Sequence, residues 1–162
     1  LHIIDNCDDY LLRSNETEHF TASAWVVNHD RSKVLLIHHN IYNAWTWTGG
    51  HADGEEDLLQ TALREVREET GLANIKPVNG DIFSIEIITV DGHIKSGRYV
   101  SSHLHLNVTY LIEADEDEAL HIKEDENSAI GWFEPEKLDM LSDEKWMKEL
   151  VYAKLQNKLK GE

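Results

Sequence analysis

The stretch GHADGEEDLLQTALREVREETGL, Gly50–Leu72, decides the fold of this chain. Asp57, followed three residues later by Gln60, supplies an N-cap and a capping-box partner. No Pro or Gly interrupts Leu58–Thr70, and Gly71 stands where a helix stop is wanted. The pattern predicts a helix over Leu58–Thr70. At roughly 100° per residue, Leu59, Ala62, Leu63 and Val66 share a packing stripe, while Glu65, Glu68 and Glu69 fall within an arc of about 100° beside it.

Those glutamates repel one another. Like charges three or four apart cost about 0.2–0.5 kcal/mol per pair in an isolated helix, and Glu65–Glu68 and Glu65–Glu69 are two such pairs. Arg64, four residues before Glu68, relieves part of that repulsion. A hard divalent cation such as Mg²⁺ or Mn²⁺ relieves more, because it prefers carboxylate oxygens and keeps waters that a substrate phosphate can replace. The alternative for such a run is a solvated acidic helix face.

The full string resembles the Nudix box, G-x5-E-x7-R-E-U-x-E-E-x-G-U with U aliphatic. Gly50, Glu56, Arg64, Glu65, Val66, Glu68, Glu69, Gly71 and Leu72 occupy its nine specified positions in order. Nine matches are far more specific than a lone glycine-rich loop. The resemblance implies an α/β fold of the Nudix type: an α/β/α sandwich with a mixed β-sheet and the box as loop-helix-loop. It also implies metal-dependent cleavage of a nucleoside diphosphate linked to another moiety, or of a related diphosphate, with Mg²⁺ or Mn²⁺ as cofactor.

By the same resemblance Glu68 and Glu69 are the principal metal ligands and the Gly49 carbonyl is a further one. Glu65 is a ligand or part of water activation, and Arg64 and Glu56 orient the glutamates. Such ions acidify bound water and neutralise phosphate oxygens during displacement at phosphorus. Members of the family often recruit one more acid from a loop well after the box. The run Glu124-Asp125-Glu126 before Trp132-Phe133 is the place for it, with Glu126 favoured and Glu124 second; the alternative is a solvated acidic loop.

Composition agrees. A chain of 162 residues suits one domain with a full core, and no repeat or low-complexity linker divides it. A net charge of −16 argues against grip on a nucleic acid polymer, which needs a basic surface. The apolar runs are too short for a membrane span or a signal segment, and Cys7 alone makes no intramolecular disulfide, so a cytoplasmic location is expected. Leu1 in place of Met fits a processed or truncated start. The expected partners are a small-molecule diphosphate and, at most, a second copy in a homodimer, with neither nucleic acid nor membrane.

Outside the box, Ile3–Leu12 reads as a short amphipathic helix within an N-terminal extension over residues 1–14. Phe20–Asn28 and Lys33–His38 read as a strand hairpin. Trp45 and Trp47, ahead of Gly49-Gly50, either stack on a base or pack the core. Ile82–Val90 reads as a strand ending in a hairpin turn at Asp91-Gly92. In His103–Glu113 the residues Leu104, Leu106, Val108, Tyr110 and Ile112 line one face, with His103, His105, Asn107 and Thr109 on the other. That polar face reads as the solvated side of an edge strand; the alternative has His103 and His105 facing substrate phosphates together with His51. A C-terminal helix is expected over Asp143–Lys158, with lysines toward its end.

Subgroup markers are missing. The region Ile85-Glu86-Ile87-Ile88-Thr89 carries neither the proline of ADP-ribose pyrophosphatases nor the tyrosine of dinucleoside polyphosphate hydrolases. Trp47-Thr48 replaces the Phe-Pro of several subgroups, and the arginine-bearing upstream motif of coenzyme A hydrolases is absent. Two other classes remain: a non-catalytic nucleotide sensor, which would have lost box glutamates, and an isopentenyl-diphosphate-type isomerase, which would need a reactive cysteine. All three helix glutamates are present, and Cys7 is far from them in sequence.

Overall fold

The computed structural model describes residues 2–41, 43–95, 97–138 and 145–161. Ten strands are present among the described residues. They are β1 (Glu18–Val27), β2 (Val34–His39), β3 (Ala44–Thr46), β4 (Thr48–His51), β5 (Ile75–Pro77), β6 (Ser84–Val90), β7 (His93–Lys95), β8 (Arg98–Val100), β9 (His103–Ala114) and β10 (Asn127–Phe133). The helices are α1 (His2–Asn6), α2 (Leu58–Thr70) and, after a π-helical turn over Met147–Tyr152, α3 (Ala153–Leu159).

The main sheet runs β10-β2-β1-β9-β5, with β3 on β2, β4 on β1 and β6 on β9. β1 and β9 pair in parallel, and the other pairs are antiparallel, so the sheet is mixed. Alternation along β1 explains the two layers. Ala22, Ala24 and Val26 pack with Ala62, Leu63 and Val66 of α2, whereas Trp25 and Val27 pack with Val151, Tyr152 and Leu155 near the C-terminus. The result is an α/β/α sandwich with a core on each side of the sheet.

α2 has the predicted limits. The Asp57 carboxylate accepts hydrogen bonds from the Leu59 and Gln60 amides, and Gly71 closes the helix at φ 74°, a left-handed conformation that favours glycine. Four readings from the sequence are corrected. The N-terminal helix expected over Ile3–Leu12 ends at Asn6; the chain then turns, and Arg13 pairs with Asp53 while the Phe20 amide donates to the Tyr10 carbonyl. Asp91-Gly92 does not close a hairpin on β6: β7 pairs with β8, and β6 pairs with β9.

The third correction concerns His103–Glu113. Its span is as expected, yet β9 is an inner strand with β1 on one side and β5 and β6 in succession on the other, so its polar face is not the solvated side of an edge. Asn107 and Thr109 are buried there. Fourth, the C-terminal helix carries a wider π turn over Met147–Tyr152; positions 145–159 are helical, and residues 143 and 144 of the expected helix lie outside the described residues. No described helix is long and apolar enough to cross a membrane.

Candidate active site

The box glutamates open onto a cleft built by the sheet register. β1 places Thr21 beside His51 and Ser23 beside Gly49 of β4, and on its other side places His19 beside His105 and Thr21 beside Asn107 of β9. Side chains of three neighbouring strands therefore line one wall. Glu65, Glu68 and Glu69 reach the cleft from α2, and Glu126 reaches it from the segment just before β10. The cleft holds about 1530 Å³, above the range of about 300–1,000 Å³ common for small-ligand pockets.

The two glycines let the helix come close. A Cβ on Gly49 would lie 2.5 Å from Ser23 Oγ, and one on Gly50 would lie 2.5 Å from the Glu65 carboxylate. The Gly49 amide donates to Glu69 Oε2 at 3.0 Å. Glu69 is buried, at 3% exposure. Burial chiefly, and then the charges of Glu65 and Glu126, push its carboxyl up to about 8, against the opposing Gly49 hydrogen bond.

Arg64 holds Glu65 more closely than Glu68. Its Nη2 donates to Glu65 Oε1 at 2.8 Å and to the His51 carbonyl at 3.2 Å, whereas its Nε lies 3.8 Å from Glu68 Oε1. Lys123, a residue the sequence did not single out, places Nζ 3.1 Å from Glu126 Oε2 and 3.9 Å from Glu68 Oε2. An ammonium thus already bridges acids from two separate segments. The donor set fits a hard divalent cation: carboxylates from α2 and from Glu126 converge, and one of them is buried without enough positive charge to keep it ionised near neutral pH.

The other expected residues separate. Trp47 is buried against Tyr152 and half-buried Trp45 packs on Phe133, and both line the cleft wall. Glu56 is exposed, and neither it nor Glu124 is among the residues lining the cleft. His51, His103 and His105 do meet in the cleft, joined by His19. Burial first, then His51, His19 and His103, push His105 down to about 3. A neutral imidazole offers no charge to a phosphate. His19 was legible only as the first of His19, Thr21 and Ser23, a polar alternation within an otherwise apolar strand.

Below the cleft, Glu86 is buried and was also missed. It accepts from Ser84 Oγ at 2.6 Å, Thr109 Oγ1 at 2.8 Å and Asn107 Nδ2 at 3.2 Å, and Lys154 Nζ lies 2.6 Å away. Asn107 Oδ1 in turn accepts from Thr21 and Ser23, which ties β1, β6 and β9 together under the site.

A family model described as NUDIX domain matches residues 17–154. The chain belongs to the Nudix hydrolase family. It is 31% identical over 113 residues to a probable DHNTP pyrophosphohydrolase of Lactococcus lactis subsp. cremoris, covering 68% of this chain and 64% of that protein. It is also 31% identical over 113 residues to the asymmetrical bis(5'-nucleosyl)-tetraphosphatase of Mus musculus, covering 69% of this chain and 67% of that one. The chain thus spans about two thirds of the length of these relatives. Among solved structures, a C. elegans Ap4A hydrolase binary complex superposes with a TM-score of 0.63 at 20% identity, covering 88% of this chain and 99% of that one. A Nudix-family hydrolase from Clostridium perfringens superposes at 0.64 and 22%, covering 88% and 96%. These likenesses establish the Nudix fold.

Proposed function

We propose that this Nudix hydrolase is a metal-dependent pyrophosphohydrolase that cleaves a phosphoanhydride bond in a nucleoside diphosphate linked to another moiety, or in a related diphosphate. The observation that carries the reading is the convergence of Glu65, Glu68, Glu69 and Glu126 on one cleft. Mg²⁺ or Mn²⁺ is the expected cofactor. When bound, such an ion neutralises diphosphate oxygens and acidifies a water for attack on phosphorus.

In this reading Glu68 and Glu69 hold the ion with the Gly49 backbone, and Glu65, clamped by Arg64, completes the set. Glu126 accepts the proton of the attacking water at a carboxylate oxygen, since it faces the α2 acids across the cleft and is reached by solvent. Lys123 balances Glu68 and Glu126 before substrate arrives and can turn to the diphosphate afterwards. Glu56 acts from outside the cleft, on the path of the loop that precedes α2.

The sensor alternative lacks the lost glutamates it requires, and the isomerase alternative lacks a cysteine among the residues lining the cleft. The names of the relatives put bis(5'-nucleosyl) tetraphosphates and DHNTP into the assay beside nucleoside diphosphate sugars, nucleoside triphosphates and non-nucleotide diphosphates. The test is turnover of this panel with Mg²⁺ or Mn²⁺ in ¹⁸O-labelled water. The reading expects cleavage of at least one anhydride, with the label on a phosphorus of the product. Failure of the whole panel would favour a sensor.

A further inference from the structure

Four histidines meet on the cleft wall from three adjacent strands: His19 on β1, His51 on β4, and His103 and His105 on β9. The ring centroids of His19 lie 5.1 Å from those of His51, His103 and His105, and those of His51 and His105 are 4.9 Å apart. One ring nitrogen from each of His19, His51 and His105 lies within 4.8 Å of the other two. His103 Nε2 is 3.2 Å from His105 Nε2.

The tautomers of His19 and His103 favour metal ligation. His19 Nδ1 faces the Asn15 carbonyl at 2.9 Å, and a carbonyl only accepts, so Nδ1 carries the hydrogen and Nε2 a lone pair. That Nε2 is buried with no hydrogen-bond partner, in a residue only 4% exposed. An unsatisfied buried polar atom is destabilising, and a ligand would satisfy it. His103 Nδ1 likewise donates to the Ser101 carbonyl at 2.8 Å, leaving its Nε2 to accept from His105 Nε2, whose proton a bound metal would displace. Carbonyls holding the far nitrogen are the usual outer support of a metal-bound histidine.

We propose that His19, His51 and His105 form a nitrogen-donor site for a transition-metal dication of the Zn²⁺ class, distinct from the carboxylate cradle, with His103 as a further donor. Imidazole suits Zn²⁺, Ni²⁺ and Cu²⁺, whereas Mg²⁺ prefers oxygen. Tetrahedral Zn–N bonds of about 2.0–2.1 Å separate ligand nitrogens by about 3.3 Å. The His103–His105 pair already has that spacing, and the other rings need to draw in by at most about 1.5 Å. The site faces the cleft, so a phosphate oxygen of a ligand can take an open coordination position. The site depends on none of the box glutamates.

The test is titration of tag-free, chelator-treated full chain with Co²⁺ in excess Mg²⁺, read by the visible d–d bands of tetrahedral nitrogen-ligated cobalt. One equivalent should bind and be displaced by Zn²⁺. His51→Gln and His105→Gln should each weaken binding by at least about tenfold, and Glu69→Gln should leave it unchanged. In the unaltered protein, Zn²⁺ should shift the ring resonances of His19, His51 and His105 in NMR, a readout that needs no variant to fold. Absence of the bands and of the ring shifts, wild-type affinity in both histidine variants, or loss of the bands in Glu69→Gln would each overturn the site.

Discussion

Gly50 stands so close to Glu65 that a Cβ built on it would lie 2.5 Å from the Glu65 carboxylate. A side chain at position 50 therefore has to displace the acid that Arg64 clamps from the other side. Gly50→Ala should lower activity by about 10–100-fold, the range for disturbed support of a metal ligand, while circular dichroism stays native. Full activity in Gly50→Ala would mean that the position of Glu65 does not matter.

The raised Glu69 carboxyl gives the metal-free protein a pH signature. Its folded pKa of about 8 exceeds the ordinary carboxylate value of 4.5, so the native state holds this proton more tightly than the unfolded chain. The resulting stability is fully present below about pH 4.5 and is lost as pH rises through about 8. In chelator, the melting temperature of Glu69→Gln minus that of wild type should grow from pH 5 to pH 8, and Mg²⁺ should shrink that difference. A difference independent of pH would contradict the burial argument.

Lys154→Met removes the only ammonium that pairs with buried Glu86 among the described contacts, leaving hydroxyl and amide donors. Urea unfolding should show a loss of about 1–3 kcal/mol, toward the low end because Lys154 is half exposed. Glu86→Gln in the same chain should recover part of it. If the double variant is no more stable than Lys154→Met, the pair does not hold β6 to α3.

Asp57→Ala should cost about 1 kcal/mol, because it removes the carboxylate acceptor of the Leu59 amide at the start of α2, while the Gln60 amide keeps the Asp57 carbonyl. Asp57→Asn should lose less. Denaturant midpoints at constant slope measure both.

Local signals were legible in the sequence, and partners distant along the chain were not. The cap, stripe and stop of α2 are encoded within Asp57–Gly71, and the helix occurs where they place it. The span of β9 was legible from alternation, but its place in the middle of the sheet depends on pairing with β1, about 85 residues earlier in the chain, for which alternation carries no signal. For the same reason His19 could not be joined to His51 and His105: only the register makes them neighbours. The helix expected over Ile3–Leu12 fails after Asn6, where Cys7, Asp8 and Asp9 are poor helix formers and Arg13 pairs with Asp53. The burial of Glu69 was hidden too, because helical periodicity puts it with Glu65 and Glu68 and says nothing of the strand beside it.

In the proposed mechanism the α2 carboxylates hold the ion on which turnover depends. This is tested most directly by hydrolysis of the best panel substrate after chelation, followed by Mg²⁺ titration of wild type and Glu69→Gln. Wild type should be inactive in chelator and regain activity with Mg²⁺ or Mn²⁺, and Glu69→Gln should stay at least about 100-fold slower with its fold retained. Turnover that survives chelation, or that is equal in the two proteins, would contradict the account.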